Sequence, residues 1–407
     1  MKKTGTILFF LFQLAGLCAQ SPDSLLAIAR KNNPGLQSGY ALYKAMLEKS
    51  ASVRQWPEPE ANLGFIAWPS PNESLLPTAT LGWMQPIPWK GMTNLKGDIV
   101  QTEARAALEQ VEMQWLEIRY ELRQAYWTCF AAERRAERIR ENILLLQSLE
   151  RLTQMNIERG TAALTDVLEV QMRILELERE VLTAENARRE PTARINQLLG
   201  QPASAPVAVY KTADFALFAL HPDSLLARLL LSYPGLTTLH LAREASRQRQ
   251  ELNLLESRPG IAAGLDYAVM RRTGGIHPGD GQDMWMPRIG VRVPLFRETY
   301  RARDREEQLL QTAWEAQERE VRNMLSASVE QALAKLREAQ LSFELARQQR
   351  PLLETALRIQ TDAYSANSSG LETLLRYEES LLKIKLSEIE AIAESHKALA
   401  ELERRLK

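Results

Sequence analysis

The chain has 407 residues, 45% hydrophobic and 25% charged, with 51 basic and 51 acidic side chains. That is the usage of a folded protein without low-complexity tracts. A net charge of zero excludes a nucleic-acid binder, which needs a basic face. Met1-Lys2-Lys3, an apolar run from Ile7 to Leu17 and the short residues Cys18-Ala19 read as a secretory signal over 1–20, cleaved near Gln20. The run is 11 residues long, well short of the roughly 18 that span a bilayer as a helix. Cys18 raises lipidation as an alternative, although Leu17 stands where a bacterial lipoprotein signal has a small residue. Cleavage would leave Cys129 alone, so no disulfide within the chain is expected. No later stretch reads as a membrane-spanning helix, which leaves a soluble protein or a β-barrel.

The chain is duplicated. Asp23-Ser-Leu-Leu-Ala27 and Pro34-Gly-Leu36 recur as Asp223-Ser-Leu-Leu-Ala227 and Pro234-Gly-Leu236 at a constant offset of 200. The first repeat is expected over 21–200, with helices over 22–55, a hairpin over 57–88, a long helix over 91–157 and a helix over 162–199. Pro34-Gly35 should break the first helical stretch and Pro191 should kink or divide the last. A Pro/Ala/Val connector follows over 201–221. The second repeat, 222–407, repeats the plan: helix 223–256, hairpin 260–296, long helix 298–364 and helix 370–406. The fold class is therefore mainly α with a small β part, in duplicated helix–hairpin–helix units.

Period-two alternation marks the hairpins. Leu63, Phe65 and Ala67 alternate with Asn62 and Gly64, and Ala79, Leu81 and Trp83 with Thr78, Thr80 and Gly82. Ile261, Ala263, Leu265, Tyr267 and Val269 share one face, while Ala262, Gly264, Asp266 and Ala268 share the other. Ile289, Val291 and Val293 alternate with Arg288, Gly290 and Arg292. In these runs the ionisable residues share a face with the glycines and the opposite face is apolar. Strands between lipid and a watery lumen have this pattern, and Asp266, Arg288 and Arg292 are the lumen candidates. Trp56, Trp68, Trp83, Trp89 and Trp285 lie near strand ends, as interfacial aromatics do; packing in a soluble sandwich is the alternative. Four strands cannot close a barrel, since the smallest membrane barrels need about eight. Membrane insertion therefore requires several chains. At the exits, Pro86 and Pro294 should end their strands.

The first long helix carries Leu108, Val111, Trp115, Ile118, Leu122, Ala125, Cys129, Ala132, Ala136, Ile139, Ile143 and Leu146 in steps of three and four. This heptad spacing predicts left-handed supercoiling, with Cys129 buried in the seam. No catalytic motif is present. His221, His240, His277 and His396 are scattered, and the carboxylates sit on long helices as solvated charge. An enzyme is not expected, nor any cofactor or resident metal.

Several segments then converge. They are the duplicated plan, the exit Gln85-Pro-Ile-Pro-Trp-Lys-Gly91, the turn Arg159-Gly-Thr-Ala-Ala-Leu-Thr-Asp-Val-Leu168 and the repeat end Asn196-Gln-Leu-Leu-Gly200. With them the chain resembles the TolC-like outer-membrane efflux proteins over essentially its whole mature length. The exit motif is most similar to the branch serving heavy-metal and cation pumps. His277, Met284 and Met286 are soft ligand types that keep metal ions open as cargo. The resemblance implies a homotrimer with a twelve-stranded outer-membrane β-barrel, in contact with lipid. A periplasmic α-helical coiled-coil barrel would continue it. The implied function is a passive exit duct for small molecules or metal ions in a tripartite efflux system. A periplasmic membrane-fusion adaptor and an inner-membrane pump, of RND type, are its implied partners.

It also implies that the helix–helix turns dock the adaptor: Arg159, Gly160, Leu164, Asp166, Val167 and Leu168, and in the second repeat Asn367, Leu371, Leu374 and Leu375. Tyr364 and Arg376 are the gate candidates. Arg376 departs from the family, which has an aspartate there, and would reverse the field at the entrance unless it pairs with Glu372 or Glu379. The duct of a type I protein secretion system and a soluble periplasmic coiled-coil scaffold or adaptor are the alternatives.

Overall fold

A computed structural model describes residues 20–65, 77–217, 222–270, 281–366 and 370–406. The signal segment with Cys18, and also Trp68, His221, His277 and Asn367, lie outside the described residues. The first repeat comprises α1 (Pro22–Asn32), α2 (Pro34–Val53), β1 (Glu60–Phe65), β2 (Pro77–Ile87), α3 (Met92–Glu158), α4 (Leu164–Ala187) and α5 (Arg189–Leu199). The second comprises α6 (Pro222–Ser232), α7 (Pro234–Glu256), β3 (Gly260–Met270), β4 (Met284–Arg292), α8 (Arg297–Ser365) and α9 (Leu371–Glu403). Helices α3 and α8 have 67 and 69 residues, or about 100 Å each at 1.5 Å per residue. Pro351 lies inside α8 without ending it. Among the described residues no helix is long and apolar enough to cross a membrane.

Contacts divide the chain into two compact units that cut across the repeats. One gathers 1–38, 111–233 and 322–407; the other gathers 39–110 and 234–321. Each draws on both copies, so the repeats intertwine and do not form one compact unit apiece.

In the first unit the heptad seam of α3 is buried. Ile118, Leu122, Cys129, Ile139 and Leu146 are at most 6% exposed. A second cluster joins α6, α8 and α9 through Leu225, Leu229, Val329, Leu333, Ala398 and Leu402. The connector belongs to this core, because Val207 and Val209 are buried. The Tyr126 hydroxyl ties the connector down, accepting from the Tyr210 amide and donating to the Gln20 carbonyl, both at 2.9 Å. The break between α1 and α2 falls at Asn33. The Asn33 amide donates to the Leu198 carbonyl at 2.9 Å while its oxygen accepts from the Leu36 amide. The break near Pro191 falls three residues earlier, at Arg188. Pro191 thus sits in the first turn of α5, where its missing N–H has no partner to lose.

In the second unit the strands form one antiparallel sheet of order β1-β2-β3-β4. The strand β2 passes through Pro86 to Ile87, correcting the expectation that this proline ends it. The β1–β2 pairing stops at Glu60↔Met84, so Pro86 meets only Ala262 of β3 and interrupts no ladder on its other side. The helices of this unit are joined by polar contacts. The Arg249 guanidinium bridges Glu103 at 2.7 Å and Glu307 at 3.4 Å, and buried Ser246 donates to the Glu307 carbonyl.

Asn33 fills a buried site that no apolar side chain can satisfy. Asn33→Ala should lower stability by about 1–3 kcal/mol, measured as a drop in the thermal unfolding midpoint.

Candidate functional site

Two regions carry the functional candidates. The first is the sheet. Register places Asn62, Gly82, Asp266 and Met286 in one row, and Glu60, Met84, Gly264 and Arg288 in the next, all on one face. Asp266 accepts from the Arg288 guanidinium at 2.8 Å, diagonally across neighbouring strands. Gly82 makes this possible, since a Cβ there would lie 2.6 Å from the Asp266 carboxylate. Arg292 lies opposite Gly260 at the end of β4 and is exposed. Two of the three lumen candidates thus neutralise each other, and among the described residues Arg292 makes no ion pair.

The opposite face consists of Leu63, Phe65, Leu81, Trp83, Ile261, Leu265, Ile289 and Val291, each 42–79% exposed. Its polar groups are the Tyr267 hydroxyl, which donates to Asp283, and Gln85 at its end, whose amide donates to the Pro57 carbonyl at 2.9 Å. Strands β1 and β4 each pair on one side only.

The second region is the pair of helix–helix turns. Alpha helix α3 ends in a glycine-terminated motif. Gly160 takes φ +73°, its amide donates to Ile157, and the Thr161 amide donates to Asn156 at 2.8 Å. These two bonds satisfy carbonyls that the helix end would leave bare. Ala163 has no side-chain oxygen with which to cap α4; its carbonyl accepts from the Asp166 amide at 3.1 Å, and the Asp166 carboxylate accepts in return from the Ala163 amide at 3.3 Å. Asp166 therefore shapes the turn and complements the positive end of the helix dipole. Arg159 and Gly160 are exposed, as are Leu164 at 69% and Leu168 at 51%, whereas Val167 is buried.

At the matching positions of the second repeat, Leu371 is buried at 4% where Leu164 is exposed, Leu374 is buried at 2% as Val167 is, and Leu375 is half-buried. Leu371 and Leu374 pack within the chain. Tyr364 is also buried, and its hydroxyl bonds the Thr153 hydroxyl at 3.0 Å, linking α8 to α3. Thr153 in turn donates to the Leu149 carbonyl. Tyr364 is thus packed between α8 and α3. Arg376 is exposed and lies 5.8 Å over the Tyr377 ring. Among the described residues it makes no ion pair; the carboxylate of Glu379 instead meets Arg173 at 3.6 Å.

Two buried polar residues escaped the sequence reading. Glu378 is 5% exposed and Asn142 is 8% exposed, and the Asn142 amide donates to the Glu378 carboxyl. Burial pushes that carboxyl above its ordinary range, against the pull of the Asn142 bond and of Arg173. The signal was present, because Leu371, Leu374, Glu378 and Leu381 follow heptad steps with one charge among them. Among the described residues, no three His, Cys, Asp or Glu side chains are placed to hold a metal ion.

Residues 25–201 match the family described as outer membrane efflux protein. Solved structures share the fold. The outer-membrane channel OprN is 18% identical, with a TM-score of 0.75 over 95% of this chain and 89% of its own. The outer membrane protein VceC from Vibrio cholerae is 15% identical, with a TM-score of 0.75 and 95% of each chain covered. CusC is 13% identical, with a TM-score of 0.75 over 94% of this chain and 92% of its own. No curated protein matches the sequence.

A side chain at Gly160 would be strained by its left-handed backbone. Gly160→Val should destabilise the turn by about 1–2 kcal/mol. The expected readout is faster amide exchange over 156–164, with protection of the α3 seam at Leu122 unchanged.

Proposed function

We propose that this chain, a member of the outer membrane efflux protein family by the match over residues 25–201, forms a passive trimeric exit duct of a tripartite efflux system. The family consists of outer-membrane transport ducts and not of enzymes. One observation carries the proposal: a four-stranded sheet exposes an apolar face, holds an Asp266–Arg288 pair on the other, and leaves both edges unpaired. Unpaired edges invite pairing with another chain, and three such sheets would supply twelve strands. The apolar face would meet lipid and the charged face water.

The helices support the same assembly. On α4, Leu164, Leu168, Met172, Leu175 and Leu182 are 51–69% exposed at heptad-like spacing. On α8, Leu341, Leu345, Leu352 and Ile359 are 53–70% exposed in a second stripe. Two different stripes on one chain favour a head-to-tail contact, which closes into a ring when the rotation permits. The α4 stripe of one copy would cover the α8 stripe of the next.

Among the described residues, Arg159, Gly160, Leu164 and Leu168 are exposed members of the proposed adaptor-docking surface. An inner-membrane pump, of RND type, would supply energy. Small molecules and metal ions are the proposed cargo. Met284 and Met286 are 47% and 39% exposed, which suits transient contact with soft cations. Unpaired Arg376 would make the entrance anion-favouring.

Purified protein in a planar lipid bilayer should show discrete channel conductance, and Arg376→Asp should raise cation selectivity. Tyr364→Phe removes one buried hydrogen bond, worth about 1 kcal/mol, and should raise the open probability roughly fivefold. Leu345→Lys with Leu352→Lys should abolish trimers on a native gel. A water-soluble monomer without conductance would overturn the proposal.

A further inference from the structure

In the first compact unit, α3, α8 and α9 enclose a half-open cleft of about 260 Å³. Its walls include Leu146, Leu149, Leu152, Leu357 and Leu374, and Glu378 contributes to the lining. One Glu378 oxygen, Oε1, accepts from Asn142, while Oε2 is buried and has no hydrogen-bond partner. A carboxyl oxygen left unpaired inside a protein costs about 1–3 kcal/mol. The neighbouring cations do not relieve it. Arg173 is engaged by Glu176 and Glu379, and Lys385 lies outside ion-pair distance of Glu378. Ser148 and Thr361 also line the cleft, but their hydroxyls already donate to the Leu144 and Leu357 carbonyls. Among the described residues Glu378 Oε2 is the lining carboxyl oxygen without a partner, which matches a ligand that is apolar except for one donor.

We propose that this cleft is a binding site for an amphipathic primary amine. The alkyl chain would lie against the leucines. The ammonium group would donate to Glu378 Oε2, which turns slightly outward to meet it. A charged donor makes a stronger bond than an alcohol of the same length, and a fatty acid would bring a second acceptor to a group that needs a donor. The site is independent of the duct reading, because binding is read without transport.

The test uses the full-length protein in amphipol and an octylammonium probe carrying a photoreactive diazirine. Labelled peptides are mapped by mass spectrometry. The expected result is labelling within residues 145–152 and 357–361, competed by octylammonium and not by octan-1-ol. Glu378→Gln, nearly isosteric, should reduce that labelling about tenfold, the effect of losing about 1.4 kcal/mol. Leu357→Trp fills the cleft while keeping the carboxyl, and should block labelling even if Glu378→Gln fails to assemble. Equal competition by octan-1-ol, or undiminished labelling in an assembled Glu378→Gln protein, would overturn the proposal. So would labelling confined to the α4 and α8 stripes, or none, the result expected if a second copy of the chain fills the cleft.

Discussion

The structure depends on apolar surface that a single chain cannot bury. A four-stranded sheet has two faces and two edges, and among the described residues nothing covers the Leu63–Trp83–Leu265–Ile289 face or pairs the outer sides of β1 and β4. Helices α4 and α8 repeat the problem at heptad spacing. Exposed apolar area disfavours an isolated monomer in water at about 25 cal/mol per Å². In the proposed assembly, lipid would remove the penalty on the sheet and further copies of the chain would remove it on the helices. Membrane insertion and oligomerisation would then have one cause.

Against that background the polar groups acquire distinct roles. Asp266 and Arg288 are held together on the charged face of the sheet, with glycine at position 82 leaving room for the carboxylate. Asp166 and Gly160 shape a turn by satisfying helix-end groups. Thr153 and Tyr364 join two long helices through one buried hydrogen bond. Glu378 is a buried carboxyl whose structural duties leave one oxygen idle.

Much of this was legible in the sequence. Heptad steps located the α3 seam, and Cys129 is buried where they put it. Alternation separated the two faces of the sheet, and the duplication aligned the turns. Other features were not legible, for physical reasons. The duplication implied that matched positions do matched work, and Val167 and Leu374 are indeed both buried, yet Leu164 is exposed while its counterpart Leu371 is buried. Which face a helix turns inward depends on the helix beside it, and the neighbours of the two turns differ. Pro86 reads as a strand end because proline lacks an amide donor, but β1 is short enough that no donor is needed there. The Tyr364–Thr153 bond joins residues 211 apart, beyond the reach of any local pattern.

The central claim is that the uncovered sheet and helix stripes are closed by two further copies in the outer membrane. The most direct test is the native mass of the protein extracted from outer-membrane vesicles in mild detergent. A particle of three chains, converting to single chains on heating, is the predicted result. A monomer, or recovery of the protein in the soluble periplasmic fraction, would contradict the account.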